Sequence, residues 1–432
     1  MPSRPPRPPL PAGPYLVVGL ARSGQAVARY LADAGERVIA CDSGSPEGAE
    51  RLRDLGVEVR LDGDWSELAD DAACVVKSPG VPRESPVIAH ALDAGVTVIG
   101  ELEFAWRLLP NPFVAVTGTN GKTTVVELLG HIWRSADRPV EVAGNVGTAL
   151  TTLVGKVDAD ATVVCECSSF QLEDSIEFAP DCAVLLNVAP DHLDRHGSFE
   201  HYRDSKLKIF ANQRPGQWAI LDSAEPGLAG ARPGGRGKIL DLAGAPLPGL
   251  PEGSALAGPH NARNARAAAS AAMAMGIPRT QAEEALATFP GLPHRLERIG
   301  ETGGVAYVND SKATNAPAAL AAIESFEQIR LIAGGALKGE RFTELAAAVA
   351  EHCVAVYLTG PAAEPLAEDL APAASAGIEL KRCDSFDQAF AAAAADAQPG
   401  GTVLLSPACT SFDEFSDYEE RGERFRSLVA AL

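Results

Sequence analysis

FVAVTGTNGKTTVVELLG, residues 113–130, runs from an apolar strand through a glycine-marked turn and a Lys-Thr-Thr triplet into a helix. The strict phosphate loop, GxxxxGK[ST], needs a glycine at position 116, where Val116 stands; Gly118 and Gly121 are separated by only two residues. A strand before and a helix after still let the amides of Gly121, Lys122 and Thr123 converge on a phosphate, because a helix N-terminus presents unpaired N–H groups and the positive end of its dipole. In that setting Lys122 neutralises β and γ phosphates, and the Thr123 hydroxyl is placed to take Mg²⁺.

Similar strand-to-helix units lie on either side. From Tyr15 come YLVVG, a helix through AVARYLADAG, and RVIACD, followed by ACVVKS and VTVIG. After FVAVTG come ATVVCECS and CAVLLNVA; after Pro293 come VAYVND, IRLIAGG, VAVYLTG and TVLLSPA. Strands alternating with helices predict parallel sheets, and three successive series predict an α/β chain of three blocks. Residues 213–259, dense in Gly, Pro and Ala, read as irregular connections around one or two strands. The opening MPSRPPRPPLPAGP holds seven prolines and no apolar core of a signal peptide, so residues 1–14 are expected as a disordered tail.

Composition narrows the function. With 57 acidic against 37 basic residues, a net charge of −20 argues against nucleic acid and anionic membrane as partners. No uninterrupted apolar run reaches the roughly 18 residues of a membrane span. The eight cysteines form no CxxC pair or zinc quartet, which suits reduced thiols in the cytoplasm.

Polar groups gather at the predicted strand ends. In GLARSG, Gly19 and Gly24 hold the outer places of a dinucleotide fingerprint, with Asp42 closing the next strand, but Ala21 replaces the middle glycine. A nicotinamide site, a nucleotide held in another way and a plain tight turn all fit that stretch. Glu166 ends ATVVCECS on the strand face opposite Cys165 and Cys167, well placed for Mg²⁺ or water. Asp191, His192, Asp194 and His196 follow CAVLLNVA, and His192 reads either as a metal ligand or as structural. Lys206 and Lys208 lie on the next helix; a lysine of ordinary pKa near 10.4 would be repelled by Mg²⁺, and nothing in the spacing prefers one over the other. Asn261 and Asn264 share a helix face and either cap the helix or read a base edge. Arg295 precedes the third block, where NDSKATN, GGALKG and SPACTSFDEFSDYEERG form three polar strand ends along one edge, as a ligand crevice requires.

TGTNGKTT, ECSSFQLE, DHLDRH, YRDSK, GPHNARNARAA, HRLE, NDSKATN and SPACTSFDEF occur in an order that resembles the Mur ligases of peptidoglycan synthesis, over the chain from about Tyr15 onward. NDSKATN and SPACTSFDEF are most similar to the branch that adds D-glutamate to UDP-N-acetylmuramoyl-L-alanine. The resemblance implies a Rossmann-like domain over 15–100 for the UDP substrate, a central P-loop ATPase-like parallel sheet over 101–291, and a Rossmann-like domain over 292–432 for the amino acid. It further implies ATP, two Mg²⁺ sites, an acyl-phosphate intermediate and a monomeric cytoplasmic enzyme. Ser23, Asp42, Gly80, Asn145 and His192 then match contacts to the UDP substrate. Gly118, Thr119, Asn120, Gly121, Lys122, Thr123, Thr124, Asn261, Asn264, Arg295, Asp310 and Lys312 match ATP contacts. Metal falls to Thr123, Glu166, His192 and Lys206, the last as a carbamate, which turns a repelled cation into an anion. Thr314, Lys338, Ser411 and the Tyr418 backbone match the D-glutamate site, with Lys122, His192, Lys206 and Arg295 as the catalytic group. The alternative is another Mur-type or folylpolyglutamate-type amide ligase.

Overall fold

Short valine-rich runs become three sheets in the computed structural model, which describes residues 6–246, 249, 256, 258–337, 339 and 341–432. Lys338 and the side chain of Asp194 lie outside the described residues. The chain divides into two compact units, one of residues 1–248 and 264–286, the other of 249–263 and 287–432.

The first unit carries two sheets. Strands β1 (Tyr15–Val18), β2 (Val38–Cys41), β3 (Glu58–Arg60), β4 (Cys74–Lys77) and β5 (Thr97–Gly100) lie in the order β3-β2-β1-β4-β5, all parallel. Every residue of β1 is buried. Tyr15 and Val17 join one apolar cluster with Leu31 and Leu52, while Leu16 and Val18 join another with Ile39 and Ile88. That two-sided burial is why such strands read as continuous apolar runs. The second sheet consists of β6 (Phe113–Thr117), β7 (Val140–Gly144), β8 (Thr162–Glu166), β9 (Cys182–Leu185), β10 (Trp218–Leu221) and β11 (Lys238–Asp241). Its order is β11-β10-β9-β6-β8-β7, again all parallel. Among its described residues, the stretch 213–259 supplies two strands, β10 and β11, where one or two were expected.

Buried ion pairs and carboxylates join the first sheet to the second. Lys77 Nζ lies 2.7 Å from Asp174, both nearly inaccessible, with Arg83 3.3 Å from the same carboxylate. Glu101 accepts from the Thr151 amide and hydroxyl at 2.7 and 2.8 Å, and Glu103 accepts from the Glu177 amide.

In its described part the opening proline-rich stretch makes contacts with the body. Arg7 donates to the carbonyls of Trp106 and Asn111, and its guanidinium lies 5.0 and 4.8 Å from the Trp106 and Phe113 ring centroids. A cation over two aromatic faces with two carbonyl acceptors holds the segment against the body.

The second unit carries one mixed sheet. Strands β12 (Glu297–Thr302), β13 (Val305–Asn309), β14 (Ile329–Gly334), β15 (Cys353–Thr359), β16 (Glu379–Arg382) and β17 (Thr402–Ala408) lie in the order β12-β13-β17-β14-β15-β16. β12 is antiparallel to β13, and the other pairs are parallel. The last strand therefore sits between two earlier ones.

Candidate active site

At the end of β6 the chain turns through Gly118 into a helix, Lys122–Ser135, whose first turn is entered from Gly121 at φ +86°. A Cβ on Gly121 would stand 2.4 Å from Asn264 Oδ1, so glycine is required both by the left-handed backbone and by the approach of Asn264. Asn187, two residues past β9, locks the loop: its side chain accepts from the Asn120 amide at 2.9 Å and donates to the Asn120 carbonyl, while its own carbonyl accepts from Thr119 N. Thr119 Oγ1 accepts from Ala189 N and lies 3.0 Å from the Tyr202 hydroxyl. Lys122 Nζ donates to the Gly118 and Thr119 carbonyls, each at 2.9 Å, which holds the ammonium over the loop. Thr124 is buried on the inner side of the helix.

Beside the loop, Glu166 at the end of β8 is 3% exposed. Its carboxylate accepts from Thr123 Oγ1 at 2.9 Å and from Asn145 Nδ2 at 3.2 Å, both neutral donors. A buried carboxylate and a hydroxyl beside a phosphate-type loop form an oxygen donor set that suits Mg²⁺. Cys165 and Cys167 lie with their sulfurs 3.6 Å apart on the other face of the strand, as alternation requires. A capping box of Ser168 and Gln171 starts the next helix, Ser169–Glu173, immediately after Glu166.

The helix Phe199–Ala211, capped by Ser198 through the His201 amide, distinguishes the two lysines. Lys206 is 2% exposed; its Nζ donates to the Gly118 carbonyl at 2.9 Å and lies 4.5 Å from the Tyr202 ring centroid. Burial first, and then the Lys122 ammonium, pushes its pKa well below the ordinary lysine value. Lys208, half-buried, donates instead to the Glu173 carbonyl. Lys206 thus stands against the phosphate loop, and Lys208 does not. His192 takes a left-handed backbone, φ +51°, at the start of the short helix Leu193–His196. Its half-exposed ring lies 3.7 Å from Asp191 and 5.1 Å from the Phe170 ring centroid. His196, expected in the same cluster, is buried and bonded to Ser169 Oγ instead.

In the first sheet, the strand ends at the topological switch between β1 and β4 form a second polar edge. Gly19, at φ +87°, leads into the helix Arg22–Asp33, which holds Ser23 in its first turn; a Cβ on Gly24 would stand 1.8 Å from the Gly19 carbonyl. Ser78 Oγ donates to that carbonyl, joining the β4 turn that carries exposed Gly80 to the β1 turn. Asp42 closes β2 and accepts from the Leu20 and Gly44 amides.

The second unit has its own polar edge. Asp310, past β13, accepts from Leu296 N and Ser406 Oγ. Complete burial raises its pKa to about 7, against the lowering effect of Ser406, Arg295 and the Leu296 amide. Lys312 Nζ lies 5.3 Å from the Tyr418 ring centroid. The Tyr418 carbonyl accepts from Ser311 Oγ, and Ser411 is buried just past β17. Thr314 is half-buried ahead of the helix Ala316–Ile323.

Three positioning residues escape the sequence reading. Arg421, 3% exposed, donates to Ser311 Oγ and to the carbonyls of Ser311, Cys409 and Thr410, pinning two of these strand ends together. Its signal is its place four residues before Phe425 and eight before Val429, on the buried stripe of the helix Tyr418–Ala430. Tyr202 precedes Lys206 by one helical turn, which marks a side chain facing the same way as a candidate, and Asn187 lies two residues past an apolar strand.

Known proteins match this chain along most of its length. The Mur ligase MurD-like N-terminal domain matches residues 14–100, the Mur ligase middle domain 116–232, and the Mur ligase glutamate ligase domain 294–409. UDP-N-acetylmuramoylalanine--D-glutamate ligase of Pelotomaculum thermopropionicum is 41% identical over 96% of this chain and 97% of its own length. The enzyme of that name from Sphingopyxis alaskensis is 41% identical over 97% of both. Among solved structures, MurF ligase from Thermotoga maritima in complex with ADP matches at a TM-score of 0.61 and 19% identity, over 92% of this chain and 96% of that one. The UDP-N-acetylmuramate-alanine ligase MurC of the same organism matches at 0.59 and 18%, over 97% and 99%.

Proposed function

The chain belongs to the Mur ligase family, and we propose that it is the member that joins D-glutamate to UDP-N-acetylmuramoyl-L-alanine with hydrolysis of ATP to ADP and phosphate. The observation that carries this reading is the 41% identity, over nearly the full length of both chains, to ligases of that name. The order of chemical events follows from the problem of making an amide in water. A carboxylate oxygen of the alanyl end attacks the γ-phosphorus, ADP leaves, and an acyl phosphate forms. The D-glutamate amine then attacks the acyl carbon, phosphate departs with the C–O electron pair, and the nitrogen gives up its proton to His192 or a neighbouring carboxylate.

The residues divide this work. Gly118 to Thr124 hold the ATP phosphates, and Lys122 screens repulsion between the two anions that must meet. Asn261, Asn264, Arg295, Asp310 and Lys312 complete the nucleotide site, with Arg295 on the γ-phosphate. Ser23, Asp42, Gly80, Asn145 and His192 hold the UDP substrate; Thr314, Lys338, Ser411 and the Tyr418 backbone hold D-glutamate. Thr123, Glu166, His192 and carbamylated Lys206 would hold two Mg²⁺ ions, whose charge would neutralise the phosphates. Carbamylation needs a neutral amine, and burial, which pushes the Lys206 pKa well below the ordinary lysine value, favours that form. The nitrogen adds to CO₂, a proton leaves, and the side chain becomes an anion facing the same loop.

A phosphate-release assay with UDP-N-acetylmuramoyl-L-alanine and each candidate amino acid tests this reading. Release dependent on D-glutamate, and lost in Lys122→Ala, is expected; equal rates with D- and L-glutamate would overturn it. The same reading makes the enzyme a cytoplasmic monomer, which light scattering on the purified chain checks for the monomer. Among the described residues no helix is long and apolar enough to cross a membrane.

A further inference from the structure

Glu173, His196 and His201, none of them assigned to the nucleotide centre, bring three ligand atoms within 4.8 Å of one another. Glu173 ends the helix Ser169–Glu173, His196 ends Leu193–His196, and His201 sits in the first turn of Phe199–Ala211. Three separate segments therefore meet in one place.

The hydrogen bonds settle what each ring offers. His201 Nδ1 lies 3.0 Å from the His196 carbonyl, which accepts and never donates, so Nδ1 carries the proton. Nε2 then faces the Glu173 carboxylate at 3.1 Å. A lone pair and a carboxylate oxygen at that separation need a cation between them, either a second proton on the ring or a metal ion. His196 Nε2 lies 3.0 Å from Ser169 Oγ, and its ring stacks on Phe170 with centroids 5.0 Å apart, which fixes the ring and leaves Nδ1 to the cluster.

We propose that Glu173, His196 and His201 form a binding site for a zinc-type divalent transition metal, distinct from the nucleotide centre. Two imidazoles and one carboxylate suit such an ion and do not suit Mg²⁺, which takes oxygen ligands. An imidazole whose other nitrogen donates to a carbonyl is the arrangement that orients a metal-bound histidine. Ligands about 2.0–2.1 Å from a tetrahedral ion lie roughly 3.3 Å apart. The His201–Glu173 spacing of 3.1 Å already meets that figure. An ion here ties the turn of His192 and the helix of Lys206 to the helix that follows Glu166.

The test titrates Co²⁺, then Zn²⁺, into the chelator-treated full-length protein without nucleotide. Cobalt absorption in the visible range reports tetrahedral nitrogen and oxygen ligands, and calorimetry reports affinity and stoichiometry. One ion per chain is expected, with affinity falling by more than about tenfold in His201→Ala and in Glu173→Gln, while His192→Ala binds as the natural chain does. Unchanged affinity in the first two variants, or loss confined to His192→Ala, would overturn the site and leave His201 and Glu173 as an ordinary ion pair. Because no substrate or nucleotide is present, the outcome is independent of whether D-glutamate ligation is the reaction.

Discussion

Lys206 and Lys208 show what a single residue conceals until the chain is folded. Two lysines two positions apart on one helix differ in sequence by nothing useful, yet one is 2% exposed against the phosphate loop and the other reaches the Glu173 carbonyl. Burial is a property of what packs opposite, so no local pattern reveals it; only the family resemblance picked Lys206 beforehand. Lys206→Ala is expected to abolish ligation, and exhaustive removal of CO₂ to slow the natural enzyme reversibly; activity indifferent to CO₂ would deny the carbamate. Asp310 yields a second residue-scale expectation. Its folded pKa, about 7, lies above the ordinary value of 3.8, so the folded state holds its proton more tightly. The stability this adds is complete below the unfolded value and lost as pH rises through about 7, a change on the order of a few kcal/mol. Asp310→Asn carries no such proton. Melting curves from about pH 4 to 8 should show the natural protein losing ground to the variant as pH rises, and a constant difference would contradict the assignment.

At the scale of the element, the sequence and the structure part company along the sheet edges. Interior strands such as β6, β9, β14 and β17 are buried along their length and read plainly as apolar runs. β3, β7, β12 and β16 went unread, and each is an edge strand. Their sequences, EVR, VEVAG, ERIGET and ELKR, mix charge with apolar residues because one flank meets solvent. The strand, glycine turn and helix around Gly121, by contrast, were readable, because the glycines answer to local backbone geometry. Gly121→Ala puts a side chain at φ +86° and 2.4 Å from Asn264 Oδ1. The left-handed backbone alone costs about 1–2 kcal/mol. ATP affinity is expected to fall by an order of magnitude or more, measured by nucleotide titration, with a lowered melting temperature.

For the molecule as a whole, the join between the first two sheets rests on groups that composition cannot reveal. Lys77 and Asp174 are 97 residues apart in sequence and nearly inaccessible in the fold. Removing Lys77 leaves the buried Asp174 carboxylate with only the half-exposed Arg83 at 3.3 Å, and breaking a buried pair costs about 3–5 kcal/mol. Lys77→Met should therefore destabilise strongly in urea, and Lys77→Met with Asp174→Leu should recover much of the loss; additive effects of the two changes would show the pair to be uncoupled. Such long-range pairings were invisible in the sequence for the same reason as Arg421, whose acceptors at Ser311, Cys409 and Thr410 lie on other segments.

The place of β17 bears on how a ribosome delivers this chain. β1 to β5 are all translated by Gly100, so the first sheet can assemble early. The third cannot: its central slot between β13 and β14 is filled by residues 402–408, among the last to emerge. Until then two apolar strands face each other with unpaired N–H and C=O groups, the kind of edge that recruits other chains. A message truncated shortly before codon 402 should thus yield a product bound by chaperones or found in inclusion bodies, even though more than nine-tenths of the protein has been made.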